Sequence, residues 1–180
     1  MVLTYKQCVE KYGSDHMLKK EIVQGNIIQR EKGIYLFGEN CSELEIINKK
    51  YPKAVFTGES AFYYHSLTDV IPDFYHLATS RTDGRIKDVR IKQTYQQNGI
   101  FDMGKIKMNY HNTEINIYSE ERMLIELMRF RSKIPFDYYK EIISNYRNRV
   151  DKMDIWKVEE YADQFRNAAK LMDMIQMEVL

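Results

Sequence analysis

Pro52 to Arg81 reads PKAVFTGESAFYYHSLTDVIPDFYHLATSR. Its first apolar pair, Val55-Phe56, suits a short buried strand. Thr57 then offers an N-cap and opens a helix holding Ala61, Phe62, Tyr64 and Leu67. Phe74 to Thr79 is a second compact run of mixed apolar residues and predicts another buried strand. Gly58 and Pro72 stand at the joints, where a free or a fixed φ is needed. Strand, tight helix and strand in one stretch predict a core in which helices pack on a sheet.

The pattern continues downstream. Asp88 to Tyr95 alternates in part through Val89 and Ile91, and Lys105 to Tyr110 does so through Ile106 and Met108. Glu114 to Tyr118 places Ile115 and Ile117 on one side, the pattern of a half-buried antiparallel edge. The last third reads as helical. Ser119 caps a helix with Glu120 and Glu121 in its first turn and Met123, Leu124, Leu127 and Met128 as its stripe. Pro135 starts another, with Tyr139, Ile142, Ile143 and Tyr146 on one face; the first-turn N–H that proline lacks has no helical partner anyway. From Asp154, apolar residues between Ile155 and Val179 recur every three or four positions, as in one long helix or two stacked ones.

Upstream, the first forty residues read as a small separate unit. Tyr5 to Tyr12 is a helix ending at Gly13, a natural left-handed C′ residue. Ser14 is an N-cap for a second helix that runs to Gln24 and stops at Gly25. Leu18 and Ile22, four apart, share its buried face. His16, Lys20 and Val23 then point outward, with Lys19 and Gln24 on the flanks. A hairpin follows: Asn26 to Gln29, a turn over Arg30-Glu31-Lys32-Gly33, and Ile34 to Phe37. Two helices joined by a tight turn and followed by a hairpin have the spacing of a winged helix-turn-helix. In that geometry Ser14, His16, Lys19 and Lys20 face the groove and backbone of duplex DNA, and Arg30 and Lys32 reach phosphates. Ser42 to Lys50, with Leu44, Ile46 and Ile47, reads as the first helix of the core domain beyond a boundary near Gly38–Ser42.

Composition narrows the function classes. At 180 residues the chain can bury one sizeable core, or one core with a small appended module. No apolar run spans a membrane, and the start lacks the basic-then-apolar pattern of a secretion signal. Two distant cysteines, Cys8 and Cys41, and ten methionines point to a reducing, cytoplasmic setting. Net charge is only +1, but it is unevenly spread. Residues 81–110 carry 7 basic and 3 acidic side chains, as do residues 129–152, while 111–128 and 153–180 are net −3 each. The basic segments make Arg81, Arg85, Arg90, Arg129 and Arg131 candidate anion contacts.

Catalytic patterns are weak. Gly58-Glu59-Ser60-Ala61-Phe62 begins like a nucleophile elbow but lacks the closing glycine, and His65 lies too far round the helix to serve Ser60. His16, His65, His76 and His111 show no metal-ligand spacing. A metal-dependent nuclease using Asp73 and Asp88 is the remaining enzymatic alternative, but Asp88-Val89-Arg90 lacks the lysine such a strand normally carries. The expectation is therefore a non-enzyme without cofactor or metal.

The chain resembles the AbiEi family, the DNA-binding antitoxin and autorepressor half of type IV toxin–antitoxin pairs. The likeness rests on Gly33-Ile34-Tyr35, on Thr57-Gly58-Glu59-Ser60-Ala61 with the following His65, on Thr79-Ser80-Arg81, and on Ile117-Tyr118-Ser119-Glu120-Glu121-Arg122-Met123-Leu124. It spans Gly33 to about Tyr161. It implies an α+β protein: a winged helix-turn-helix of two helices plus hairpin over residues 1–38, packed on a mixed-sheet antitoxin domain with C-terminal helices over 39–180. It also implies binding to the chain's own promoter and a functional pairing with a nucleotidyltransferase-like toxin without a stable complex; the basic segments at 81–110 and 129–152 add operator flanks or RNA as candidate contacts. Family members generally carry another helix ahead of the two-helix unit, whereas only Met1-Val2-Leu3 precedes Thr4 here. A protein-interaction module that has lost tight DNA binding would fit the same residues.

Overall fold

The computed structural model describes residues 1–38 and 41–180. The fold is α+β, with one antiparallel and one mixed sheet, and the chain forms two compact units, Met1–Lys53 and Ala54–Leu180.

In the first unit, helix α1 (Tyr5–Tyr12) begins at a capping box in which Thr4 and Gln7 satisfy each other's backbone N–H groups. It ends at Gly13, whose φ of +81° lets its N–H turn back to Val9 O. Ser14 accepts from Met17 N–H at 3.2 Å and starts α2 (Asp15–Val23). These boundaries follow from local chemistry and agree with the sequence reading.

Three strands complete the unit. β1 (Val2–Thr4), β2 (Ile28–Glu31) and β3 (Ile34–Leu36) form an antiparallel sheet in the order β1-β3-β2. β1 was not foreseen: three residues have no readable period, and their strand exists because β3 offers a free edge. Alternation along β3 splits the core in two. Ile34 and Leu36 pack with Val2 and Ile46 on one face, while Tyr35 packs with Cys8, Leu18 and Ile27 on the other.

Ile46 belongs to α3 (Glu43–Lys50), which therefore joins the first unit. Its Glu45 accepts from Val2 N–H at 3.0 Å, and Lys50 pairs with Glu31 at 2.8 Å. The division thus falls at Lys53, later than the expected Gly38–Ser42, of which residues 39 and 40 lie outside the described residues. The hairpin turn also shifts. Lys32 and Gly33 form it, Gly33 at φ +81°, and Arg30 and Glu31 lie in β2.

The second unit is built on a five-stranded mixed sheet, β4 (Val55–Phe56), β5 (Tyr75–Ser80), β6 (Ile91–Gln96), β7 (Lys105–Tyr110) and β8 (Thr113–Tyr118), in the order β6-β5-β4-β8-β7. β5 pairs with β6, and β4 with β8, in parallel; the other pairs are antiparallel. β8 lies inside the sheet rather than at its edge, which explains why Ile115 and Ile117 are fully buried. β6 and β7 are the edges. Val89, expected in a strand, precedes β6 and is 88% exposed.

Helices fill out this unit. α4 (Gly58–Tyr64) packs on β5, and the short α5 (Asn98–Phe101) lies near it. α6 (Glu120–Phe130) packs against α4 and against the two C-terminal helices α8 (Ile155–Asp163) and α9 (Ala168–Glu178). The apolar repeat after Asp154 is thus two helices. α7 (Phe136–Arg147) buries Tyr139, Ile142, Ile143 and Tyr146, as its spacing predicted. Among the described residues no helix is long and apolar enough to cross a membrane.

Candidate nucleic-acid interface

The exposed face of α2 is set by what the other face must bury. Leu18 is 1% exposed and Ile22 half-buried, both in the α1–α2 side of the core. Helical geometry then turns His16, Lys20 and Val23 to the outside, and all three are exposed. Lys19 is exposed too, but it is occupied: its Nζ lies 2.7 Å from Asp15. That contact pushes Lys19 up and holds the Asp15 carboxyl below its ordinary range. Asp15 also accepts from the Tyr5 hydroxyl at 3.2 Å. Ser14 spends its hydroxyl on the cap of α2.

On the hairpin, Arg30 and Lys32 are exposed. Pairing passes from Gln29–Tyr35 directly to Glu31–Ile34, so Arg30 is the extra residue of a bulge, a device that re-aims a side chain at a sheet edge. The turn after it is tied down: Tyr5 N–H, the first of α1, donates to Gly33 O at 2.9 Å. The same unit therefore carries His16, Lys20, Arg30 and Lys32 exposed on a rigid support.

The expected arginines of the second unit divide. Arg81 and Arg85 are exposed beyond β5. Arg90 makes a two-pronged pair with Asp88 at 2.9 and 2.7 Å, so it serves the loop before β6. The same pair occupies the Asp88 carboxylate, whose side chain is 7% exposed. Among the described residues no three His, Cys, Asp or Glu side chains gather as a metal site.

Arg129 and Arg131 are held by Glu126 and Glu178 at 3.0 and 2.8 Å. Both line a groove of about 700 Å³ together with Arg166 and Lys170, and among the described residues no acidic side chain lines it. Arg129 stacks over the Phe165 ring at 4.0 Å. Arg166 and Lys170 escaped the sequence reading because segment 153–180 sums to −3. The turn between α8 and α9 brings them to Arg129 of α6 and to Arg131 just beyond it.

The residues behind the family resemblance have interior work. Ser60 Oγ accepts from His76 N–H at 2.9 Å and donates to Phe74 O at 3.2 Å, fastening α4 to β5. Thr57 makes no side-chain cap; its hydroxyl faces Met123 Sδ at 3.9 Å instead. His65 Nε2 sits 2.7 Å from Tyr118 O, and its Nδ1 lies 3.8 Å from Glu120. Arg149 Nη1 donates to His65 O at 2.7 Å. Arg122 is fully buried, bonded to Glu126, and stacked between Tyr118 and Phe165 at 5.1 Å from each ring. The two motifs thus tie both ends of α4 to the end of β8 and the start of α6.

No family model matches the chain, and no curated protein does. Among solved structures it is similar to the crystal structure of the RV2827C protein from Mycobacterium tuberculosis, at a TM-score of 0.63 and 13% identity, over 96% of this chain and 71% of that one. At this identity the likeness is one of fold.

Proposed function

We propose that this protein is a DNA-binding antitoxin that represses its own promoter in the cytoplasm and counteracts a nucleotidyltransferase-like toxin without a stable complex. In this reading residues 1–38 act as a winged helix-turn-helix, α2 entering the major groove and the β2–β3 turn lying on the backbone. The observation that carries it is the exposed set His16, Lys20, Arg30 and Lys32 on a small unit in which Cys8, Leu18, Ile27 and Tyr35 form a core of their own. The basic groove of the second unit is the candidate contact for operator flanks or RNA.

A gel-shift titration of the full chain against its upstream region at low and moderate salt tests the reading. Saturable binding that weakens steeply with salt supports it. No shift well above micromolar protein rejects it and favours a protein-interaction role. The Lys20→Ala/Arg30→Ala/Lys32→Ala variant then separates the two halves of the proposal: promoter repression is lost while rescue of growth from the co-expressed toxin persists. The protein has no nuclease activity in this reading. Cleavage of plasmid or RNA with Mg²⁺ or Mn²⁺ that disappears in Asp73→Ala or Asp88→Ala reinstates the nuclease alternative.

A further inference from the structure

The second unit holds a cleft of about 420 Å³ lined from β5, β6, α4, α6 and α7, within the size range of small-molecule sites. Part of its wall is apolar and aromatic, with Phe62, Met123 and Phe130. Two buried polar atoms in the lining have no hydrogen-bond partner among the described residues: His76 Nε2 and the Tyr138 hydroxyl. The His76 side chain is only 9% exposed, and the nearest acid, Glu59, stands at 3.5 Å, the outer limit of such a contact.

His76 is also held in place. Its backbone N–H donates to Ser60 and its carbonyl accepts from Thr57 N–H at 3.0 Å. Gly58 has φ +52°, and any Cβ there would come within 2.8 Å of His76 Nδ1, so glycine is what lets the ring lie against the start of α4. Buried polar groups without partners cost stability, and two of them in one preformed cleft mark where a ligand would bond.

The lining narrows the ligand's chemistry. A purely apolar ligand leaves His76 and Tyr138 unpaired. A bare phosphate leaves the aromatic wall unused. Gln96, 9% exposed, adds an amide that both donates and accepts, and exposed Lys92 and Lys133 supply cations to the same cleft. We propose that this cleft binds a nucleotide: its ring against Phe130 and Met123, its ring-edge atoms on His76, Tyr138 and Gln96, and its phosphates on Lys92 and Lys133. The inference does not depend on the antitoxin reading.

The test is thermal-shift and calorimetric titration of the full-length protein with the four ribonucleoside triphosphates, their nucleosides, and tripolyphosphate alone. At least one triphosphate should raise Tm saturably, its nucleoside should bind more weakly, and tripolyphosphate should give no comparable shift. Tyr138→Phe should leave the free protein as stable or more stable while weakening the nucleotide at least tenfold. Lys92→Ala should weaken the nucleotide and spare the nucleoside. Absence of any shift at millimolar nucleotide overturns the proposal. So does a tripolyphosphate shift as large as the nucleotide's, or undiminished affinity in both variants.

Discussion

Helices α2 and α6 are nearly equal in length, nine and eleven residues, yet they use charge in opposite ways. α2 buries Leu18 alone and leaves His16, Lys19 and Lys20 in solvent. α6 buries every residue from Arg122 to Met128, so Arg122 and Glu126 are interior groups bonded to each other, while Arg122 Nε and Nη1 find no hydrogen-bond partner among the described residues. A basic residue in the sequence is therefore not evidence of an anion site by itself. On α6 the arginine organises a core; on α2 the lysines stay in solvent, Lys19 against Asp15 and Lys20 on the exposed face.

The largest expected effect tests the α6 side. Arg122→Ala takes away one partner of a buried pair and its stacking on Tyr118 and Phe165, which costs about 3–5 kcal/mol. Urea denaturation of full-length protein measures it. Removing both charges with Arg122→Met/Glu126→Leu should recover much of the loss, since matched apolar groups avoid the desolvation of the pair. If Arg122→Ala is silent, the contrast between the two helices collapses.

Next in size is Gly104→Ala. Gly104 sits at φ +71°, and a Cβ would come within 2.6 Å of Arg122 Cβ and 3.3 Å of Tyr161. Left-handed strain and overpacking together predict a loss of about 2 kcal/mol. A tolerated alanine would mean that the packing around Arg122 is looser than its burial implies.

How much of this was legible follows from where each cause lies. The ends of α1 and α2 were readable because Gly13 and Ser14 act within one turn. The stripe of α7 was readable for the same reason. β1, the placement of α3 in the first unit and the interior position of β8 depend on pairing with distant strands, which no local period encodes. At the candidate sites, helical spacing turns His16 and Lys20 outward and both are exposed, whereas Arg30, read as a turn residue, lies in β2. The pairing of Arg90 was not legible, since only the fold shows Asp88 engaging it from both prongs. Arg166, Lys170, His76 and Tyr138 had no motif to announce them.

A smaller effect probes buried against exposed histidine-bearing surfaces through pH. Burial pushes His76 below the ordinary histidine value of 6.5, with Glu59 opposing and Lys92 adding to the shift. The unfolded chain thus binds a proton there before the folded one does. Stability should be unaffected by this group above about pH 6.5 and fall as pH drops below it, levelling once the folded histidine also protonates. Thermal unfolding between pH 7.5 and 5 should show that loss, and His76→Gln should flatten part of it. An unchanged slope in the variant would assign the acid sensitivity elsewhere.

The smallest difference lies within α2 itself. Lys19 and Lys20 are both exposed, but only Lys19 is paired with Asp15. An exposed i,i+4 pair contributes a few tenths of a kcal/mol, so both Lys19→Ala and Lys20→Ala should leave stability within about 0.5 kcal/mol. Their effects on DNA should nevertheless differ. A lysine that contacts phosphate unencumbered loses its full contribution on truncation, with the slope of log affinity against log salt falling by about 1. In the proposed DNA complex Lys19 must first release Asp15, and truncating it frees a carboxylate beside the exposed stripe of α2. Lys20→Ala should accordingly reduce the salt slope more than Lys19→Ala, while Asp15→Asn should strengthen binding slightly. Fluorescence anisotropy on the upstream duplex at several salt concentrations resolves slopes of this size. Equal slopes for the two lysine variants would mean that the Asp15 pair opens freely on binding, or that α2 is not the helix that meets the DNA; Asp15→Asn separates these, strengthening binding in the first case and leaving it unchanged in the second.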